Sequence, residues 1–196
     1  MKVDGHFTHV MVDGAQSDII VETVRGDIVV KGGSGFVTAK SIQGEIIVEG
    51  ARGTINVSSV NEGIKITAAS GDIAAETTNG SITLTKIDAR SVDVSSVNGN
   101  LVYDGVAADG GRYSLATHNG DITMTVPETS NATFSIRTYN GDFQSTLPVK
   151  GTGEVRRGKQ AVFTLGNGSA QVELESFGGT IRLRRMGERS TSKGKD

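Results

Sequence analysis

The chain has no cysteine and no tryptophan, only two prolines and three histidines, and aromatic residues make up 5% of its 196 positions. Without cysteine there is no disulfide scaffold, no thiol nucleophile and no thiolate-ligated metal. His6 and His9 lie three residues apart, so on a strand they face opposite sides and converge poorly on a metal. No segment has the continuous apolar length of a membrane-spanning helix, and residues 1–30 contain no apolar core of an export signal. No window carries a helical stripe, and nothing resembles a strained nucleophile elbow or a spaced catalytic triad. The formal net charge of −2 shows no basic excess, so nucleic acid is not an expected partner.

What the chain does contain is glycine, 27 residues of it, and a short phrase that keeps returning. The phrase alternates apolar and polar residues, ends on Ser or Thr, bends, and resumes with another apolar pair. It reads Ile19-x-Val21-x-Thr23 before Gly26, Val37-x-Ala39-x-Ser41 before Gly44, and Ile55-x-Val57-x-Ser59 before Glu62. It continues through Thr77 before Gly80, Ser96 before Gly99, Thr117 before Gly120, Thr138 before Gly141 and Ser176 before Gly179. The anchor positions 26, 44, 62, 80, 99, 120, 141 and 179 are separated by 18, 18, 18, 19, 21, 21 and 38 residues. The last step holds two units, which marks an irregular repeat around residues 150–170. Self-similarity of this kind specifies a repeat architecture in which each unit buries its apolar face only against its neighbours.

Within a unit the apolar positions alternate, the period of a strand with one buried face. Pairs such as Ile28/Val30, Ile46/Val48 and Ile82/Leu84 follow the anchors, and β-branched residues dominate these columns. Each unit therefore reads as two strands of about six residues joined by a tight bend at the anchor and a Gly-rich bend half a repeat later. Asn79-Gly80, Asn98-Gly99, Asn119-Gly120 and Asn140-Gly141 at the tight bend predict residues at positive φ.

Two architectures accommodate this pattern: an antiparallel meander, or a coil in which each strand stacks parallel on its counterpart one repeat later. Coiling brings identical residues into columns about 4.8 Å apart, where stacked amides hydrogen-bond along the axis. It would align an Asn ladder (79, 98, 119, 140), aliphatic ladders and a Ser/Thr ladder, for which a meander has no use. The coil is therefore the expected fold: an all-β, two-sheet, single-stranded β-solenoid of about eight rungs of 18–21 residues. Residues 1–13 are expected as an N-terminal cap, 14–186 as the repeat domain with an irregular insertion near 149–168, and 187–196 as a disordered tail.

The NG-x-I-x-V and V-x-V-x-S/T rhythm, over about residues 10–185, resembles an adhesin-like family of bacterial β-strand-repeat domains of unknown function. That resemblance implies a β-solenoid often found on envelope or membrane-linked proteins. It implies an envelope or extracytoplasmic location, whereas the lack of an export or membrane segment fits the cytoplasm if the chain is complete as given.

The polar column after the anchor is Asp27, Glu45, Gly63, Ser81, Asn100, Asp121, Asp142 and Thr180. In a sequential coil Asp27/Glu45 and Asp121/Asp142 become rung neighbours, a geometry that can hold Ca²⁺ or act on a glycosidic bond. Asp and Asn are also routine after turns, and the denser GGxGxD pattern of calcium-binding solenoids is absent. Turn chemistry is the reading adopted. Arg25-Gly26-Asp27 coincides with an anchor, and its outer residues fill slots that vary elsewhere. His118 shares its slot with Tyr139 and Phe177, so shape is expected to decide that position. No residue is thus expected to be catalytic, to bind a cofactor or to ligate a metal.

Residues 1–150 hold 11 Lys/Arg against 17 Asp/Glu, and residues 151–196 hold 9 against 5. The basic run Arg182, Arg184, Arg185 is read as a solvated last strand whose charge disfavours head-to-tail growth. The expected function is a non-enzymatic interaction or scaffold module for a protein or glycan polymer, with no integral membrane segment, existing as a monomer or weak dimer. The competing class is a polysaccharide-acting or cation-binding β-helix protein.

Overall fold

A computed structural model describes residues 1–15, 17–148, 150–152 and 159–187. The described residues contain strands and turns and no helix. The chain begins with β1 (Lys2–Phe7), β2 (Val10–Ala15), β3 (Ile19–Arg25), β4 (Ile28–Gly32) and β5 (Ser34–Gln43). It continues with β6 (Ile46–Glu49), β7 (Arg52–Ser59), β8 (Ile64–Thr67) and β9 (Ser70–Asn79). Two long strands follow, β10 (Ile82–Asn98) and β11 (Leu101–Asn119), each bending so that its two halves serve different faces. Then come β12 (Ile122–Val126), β13 (Ala132–Thr138), β14 (Phe143–Ser145), β15 (Lys150–Thr152), β16 (Lys159–Leu165), β17 (Ala170–Ser176) and β18 (Ile181–Arg185).

Strands pair with the next strand but one, in parallel and in the register of the repeat. One face stacks β1, β3, β5, β7, β9 and the C-terminal halves of β10 and β11. The other stacks β2, β4, β6, β8, the N-terminal halves of β10 and β11, and then β12. Ile19 sits over Val37, Val37 over Ile55, Ile55 over Ile73, and Ile73 over Val92. This is the two-faced β-solenoid expected from the repeat. The alternating apolar residues of both faces meet in a thin aliphatic core, with Ile28, Val30, Ile46, Ile64 and Leu84 fully buried. Each such side chain stabilises the fold by about 1.5–3 kcal/mol relative to an exposed one.

The far end departs from a simple coil. After β12 the chain leaves one slot empty on each face and lays down β13 and β14. The terminal strands then enter those slots: β17 lies between β11 and β13, and β18 between β12 and β14, all in parallel. Between these passes β15 and β16 form an antiparallel hairpin that covers the outer edge of β13. The anomalous 38-residue spacing is therefore a hairpin followed by an inserted rung. The expectation that Arg182, Arg184 and Arg185 load the end of the stack with charge is corrected accordingly, because β18 is paired with β12 and β14 on its two sides, while the arginine side chains stay partly exposed. At the other end, the segment expected as a cap consists of two strands, β1 and β2, in register with β3 and β4. Residues 188–196 of the expected tail, and residues 149 and 153–158 of the expected insertion, lie outside the described residues.

The glycine corners have two different physical causes. At the Asn-Gly anchors, Gly80, Gly99, Gly120 and Gly141 are not at positive φ, and neither are the asparagines before them, although Gly26 at the first anchor has φ 127°. The turn expected from Asn-Gly is thus not formed. Glycine is required because a Cβ on Gly99 would collide with the carbonyl of Gly80, and one on Gly120 with that of Gly99. Rung spacing, rather than φ, excludes a side chain. The opposite corner is the left-handed one. There Gly32, Gly50, Ala68 and Lys86 follow one another in the repeat register with φ of 82, 68, 52 and 55°, and Gly14, in a bulge of β2, has φ 67°.

The Ser/Thr ladder is buried and closes the anchor corner. The hydroxyls of Thr77, Ser96, Thr117 and Ser176 donate to the carbonyls of Glu62, Gly80, Gly99 and Gly120, at 3.2, 3.1, 2.9 and 2.9 Å. In each case the acceptor is an anchor carbonyl one layer away that has turned out of the strand ladder. A wider rung at residues 105–111 is plugged by Tyr103 and Tyr113, whose rings meet edge-on at 5.7 Å. The Tyr113 hydroxyl donates to Ala89 O at 2.6 Å and accepts from Ala108 N at 2.8 Å. Burial pushes both phenols up from their ordinary range.

Candidate functional site

The polar column after the anchor is built from turn chemistry. Asp27 Oδ1 accepts from Glu45 N at 2.9 Å, Asn100 Oδ1 from Asp121 N at 2.9 Å, and Asp121 Oδ1 from Thr180 N at 2.8 Å. His9 Nδ1 accepts from Asp27 N at 3.1 Å, and Ser81 Oγ from Asn100 N at 3.3 Å. Each side chain thus satisfies a backbone N–H that the corner takes out of the β-ladder.

Asp27 and Glu45 are rung neighbours, as the spacing suggests. Asp121 and Asp142 are not: the inserted rung puts Thr180 between them. Arg182 Nη1 lies 2.6 Å from Asp121 Oδ2. Partial burial acts to raise the Asp121 carboxyl, but the hydrogen bonds from Arg182 and Thr180 N and the Arg182 charge prevail and hold it below the ordinary aspartate range. Among the described residues no group of three or more His, Asp or Glu is placed to hold a metal. Arg25 lies over the Phe7 ring and Asp27 contacts His9 at 3.3 Å, so both outer residues of the Arg25-Gly26-Asp27 tripeptide are engaged in the corner.

The outer face carrying β3, β5, β7 and β9 presents a different kind of column. The residue following each buried Ser/Thr points outward, and stacking aligns Val24, Ile42, Val60, Thr78, Val97, His118, Phe177 and Tyr139 in that spatial order. Large apolar side chains on this line are left in water: Ile42 is 45% exposed, Val97 46%, Phe177 41% and Tyr139 42%. At its aromatic end the rings stack along the axis. His118 and Phe177 are 4.6 Å apart and inclined by 9°, and Phe177 and Tyr139 are 5.3 Å apart and inclined by 33°. A shallow depression of ≈ 470 Å³ runs beside the rings, floored by the small residues Ser95 and Ala116 and bounded by Glu175.

An amide ladder flanks this stripe on the corner side. Asn79 Nδ2 donates to Asn61 Oδ1 at 3.3 Å, Asn98 to Asn79 at 2.9 Å, and Asn119 to Asn98 at 2.9 Å. The asparagine column expected from the repeats is thus formed. It gains Asn61, but Asn140 is cut off from it by Gly178 on the inserted rung. Asn79, Asn98 and Asn119 each use one of their two N–H donors within the ladder, leaving a second donor and a carbonyl lone pair for other partners. On the other flank lie Glu22, Lys40, Ser58, Glu76, Ser95, Ala116, Glu175 and Arg137, with Arg137 and Glu175 paired at 3.1 Å. The arrangement can hold an elongated partner by apolar contact and hydrogen bonds.

The sequence placed His118, Tyr139 and Phe177 in one slot but did not mark the slot as a surface. The signal was there, since six of the eight residues are aliphatic, Phe or Tyr at a position whose alternation makes it face water.

No helix of the described residues is long and apolar enough to cross a membrane. Neither a curated protein nor a solved structure matches the chain. A family match does exist and spans residues 74–184, from β9 into β18, so that it takes in the later regular rungs and the inserted one. It bears out a β-repeat family of unknown function, without the adhesin label that the resemblance carried. The chain belongs to the Toastrack DUF4097 family.

Proposed function

We propose that this protein is a non-enzymatic interaction module that lays an elongated partner along the solenoid axis. The observation carrying this reading is the exposed stripe from Val24 to Tyr139 with its flanking amide ladder. Isolated exposed hydrophobic residues are ordinary, but a contiguous line rimmed by polar groups marks an interaction site. An adhesin-like role, at a cell envelope, is the finer form of this proposal. The polysaccharide-acting and cation-binding alternatives are disfavoured because Asp27 and Asp121 are bonded to backbone N–H groups and Arg182, Glu45 pairs with Lys65, and the inserted rung separates Asp121 from Asp142. A glycan array read beside a lyase and hydrolase screen tests the proposal. Binding without turnover is expected; turnover of any polysaccharide that Asp121→Asn or Asp142→Asn abolishes would overturn it.

A further inference from the structure

We infer that the partner of this stripe is an uncharged, β-linked pyranose chain of the glucan or chitin type. The inference rests on the interaction-module reading and names the chemistry of its occupant.

Period is the first argument. The stripe and the amide ladder repeat the same groups about every 4.8 Å along the axis. An extended β-1,4-linked pyranose chain advances by close to one rung per sugar, and although alternate rings are turned over, both ring faces carry C–H groups and both edges carry hydroxyls, so each ring offers each rung the same kind of surface. A polypeptide laid along the axis advances about 3.3 Å per residue, so it falls out of step with the rungs within a few residues.

Chemistry is the second. A pyranose ring has an apolar face of C–H groups and a rim of equatorial hydroxyls. Here an apolar rail lies directly beside amides with a spare donor and acceptor, the pairing such a ring requires. The stacked rings of His118, Phe177 and Tyr139 make the rail widest at one end, next to the depression. That end is the anchoring subsite.

Charge is the third. The amide column is uncharged from Gln43 to Asn119, so its electrostatic complement is a neutral chain. A polyanion would meet Glu22, Glu76 and Glu175 on the opposite flank, and a polycation would meet Lys40 and Arg137. A second copy of this chain shares the rung period, so the test must tell it apart from a glycan.

The full chain is titrated calorimetrically with chitohexaose, cellohexaose and the corresponding disaccharides, with sedimentation velocity on the same samples. At least one hexasaccharide is expected to bind about ten-fold or more tightly than its disaccharide, because each added sugar meets another rung. The double variant Phe177→Ala/Tyr139→Ala and the single variant Val97→Lys should each weaken binding about ten-fold, whereas Thr83→Lys on the other face should not. Circular dichroism melts establish that the variants are folded. No binding of either hexasaccharide by folded wild type overturns the inference. If wild type then self-associates and Val97→Lys does not, the stripe reading stands with a second copy as occupant. Glycan binding that survives both stripe variants overturns the inference and the stripe reading together.

Discussion

Lys86 holds its backbone at φ 55° in a corner column whose earlier members Gly32 and Gly50 are glycine. A side chain in the left-handed region carries strain of about 1–2 kcal/mol. Replacing Lys86 with Gly should therefore raise stability by roughly 1 kcal/mol, the relief exceeding the entropic disadvantage of glycine. Gly99→Ala should do the opposite and destabilise by about 1–3 kcal/mol, since its Cβ meets the Gly80 carbonyl of the adjoining rung. Urea unfolding of the two variants checks both signs, and equal effects would remove the distinction drawn between the corners. Ser96→Ala, which leaves the Gly80 carbonyl without its hydroxyl donor, should cost on the order of 1 kcal/mol in the same assay. Asp121 adds a pH dependence. Its carboxyl is held below the ordinary value, so its contribution is fully present above the unfolded value of about 3.9 and is lost as pH falls through the lower folded value. The melting-temperature deficit of Asp121→Asn should accordingly be present at neutral pH and shrink as the solution is acidified below that point. A deficit that stays constant into strong acid would contradict the role given to Arg182.

At the scale of the element, the strands were legible because their alternation is uninterrupted: Ile55-x-Val57-x-Ser59 can bury only one face, and Ile55, Val57 and Ser59 are all buried. Val57→Asp places an unpaired charge between Ala39 and Ala75 in a dry column, and should abolish cooperative folding across several rungs. A soluble variant with the wild-type melting temperature would contradict the register. The corners were less legible. Asn-Gly is the strongest local signal for a left-handed turn, but here the neighbouring rung decides the matter, because backbone stacks so closely on backbone that only glycine fits at Gly99 and Gly120. The true left-handed column was hidden because Ala68 and Lys86 occupy it in later repeats. The stripe was half legible. The slot shared by His118, Tyr139 and Phe177 is plain in the sequence, but their contact order depends on which rung lies between which.

The order of rungs belongs to the whole molecule. Similarity along the chain identifies units without saying that the last must lie next to its predecessor. Nothing local in Val172-x-Leu174-x-Ser176 distinguishes a strand at the end from one slotted between β11 and β13. Insertion has consequences throughout the account. It separates Asp121 from Asp142, brings Arg182 to Asp121, and places Phe177 between His118 and Tyr139 so that the three rings stack. It also sets the final strands into the interior of the stack and leaves the antiparallel β15–β16 hairpin over the edge of β13. Because the chain has no cysteine, paired substitutions read this order without background. Ala116 and Arg137 both pair with Glu175, so the inserted strand lies between them. On mild oxidation Ala116→Cys with Glu175→Cys should form an intramolecular disulfide, as neighbouring parallel strands permit. Ala116→Cys with Arg137→Cys should not. A ready cross-link between positions 116 and 137, with none between 116 and 175, would contradict the inserted rung and dissolve the aromatic ladder that depends on it.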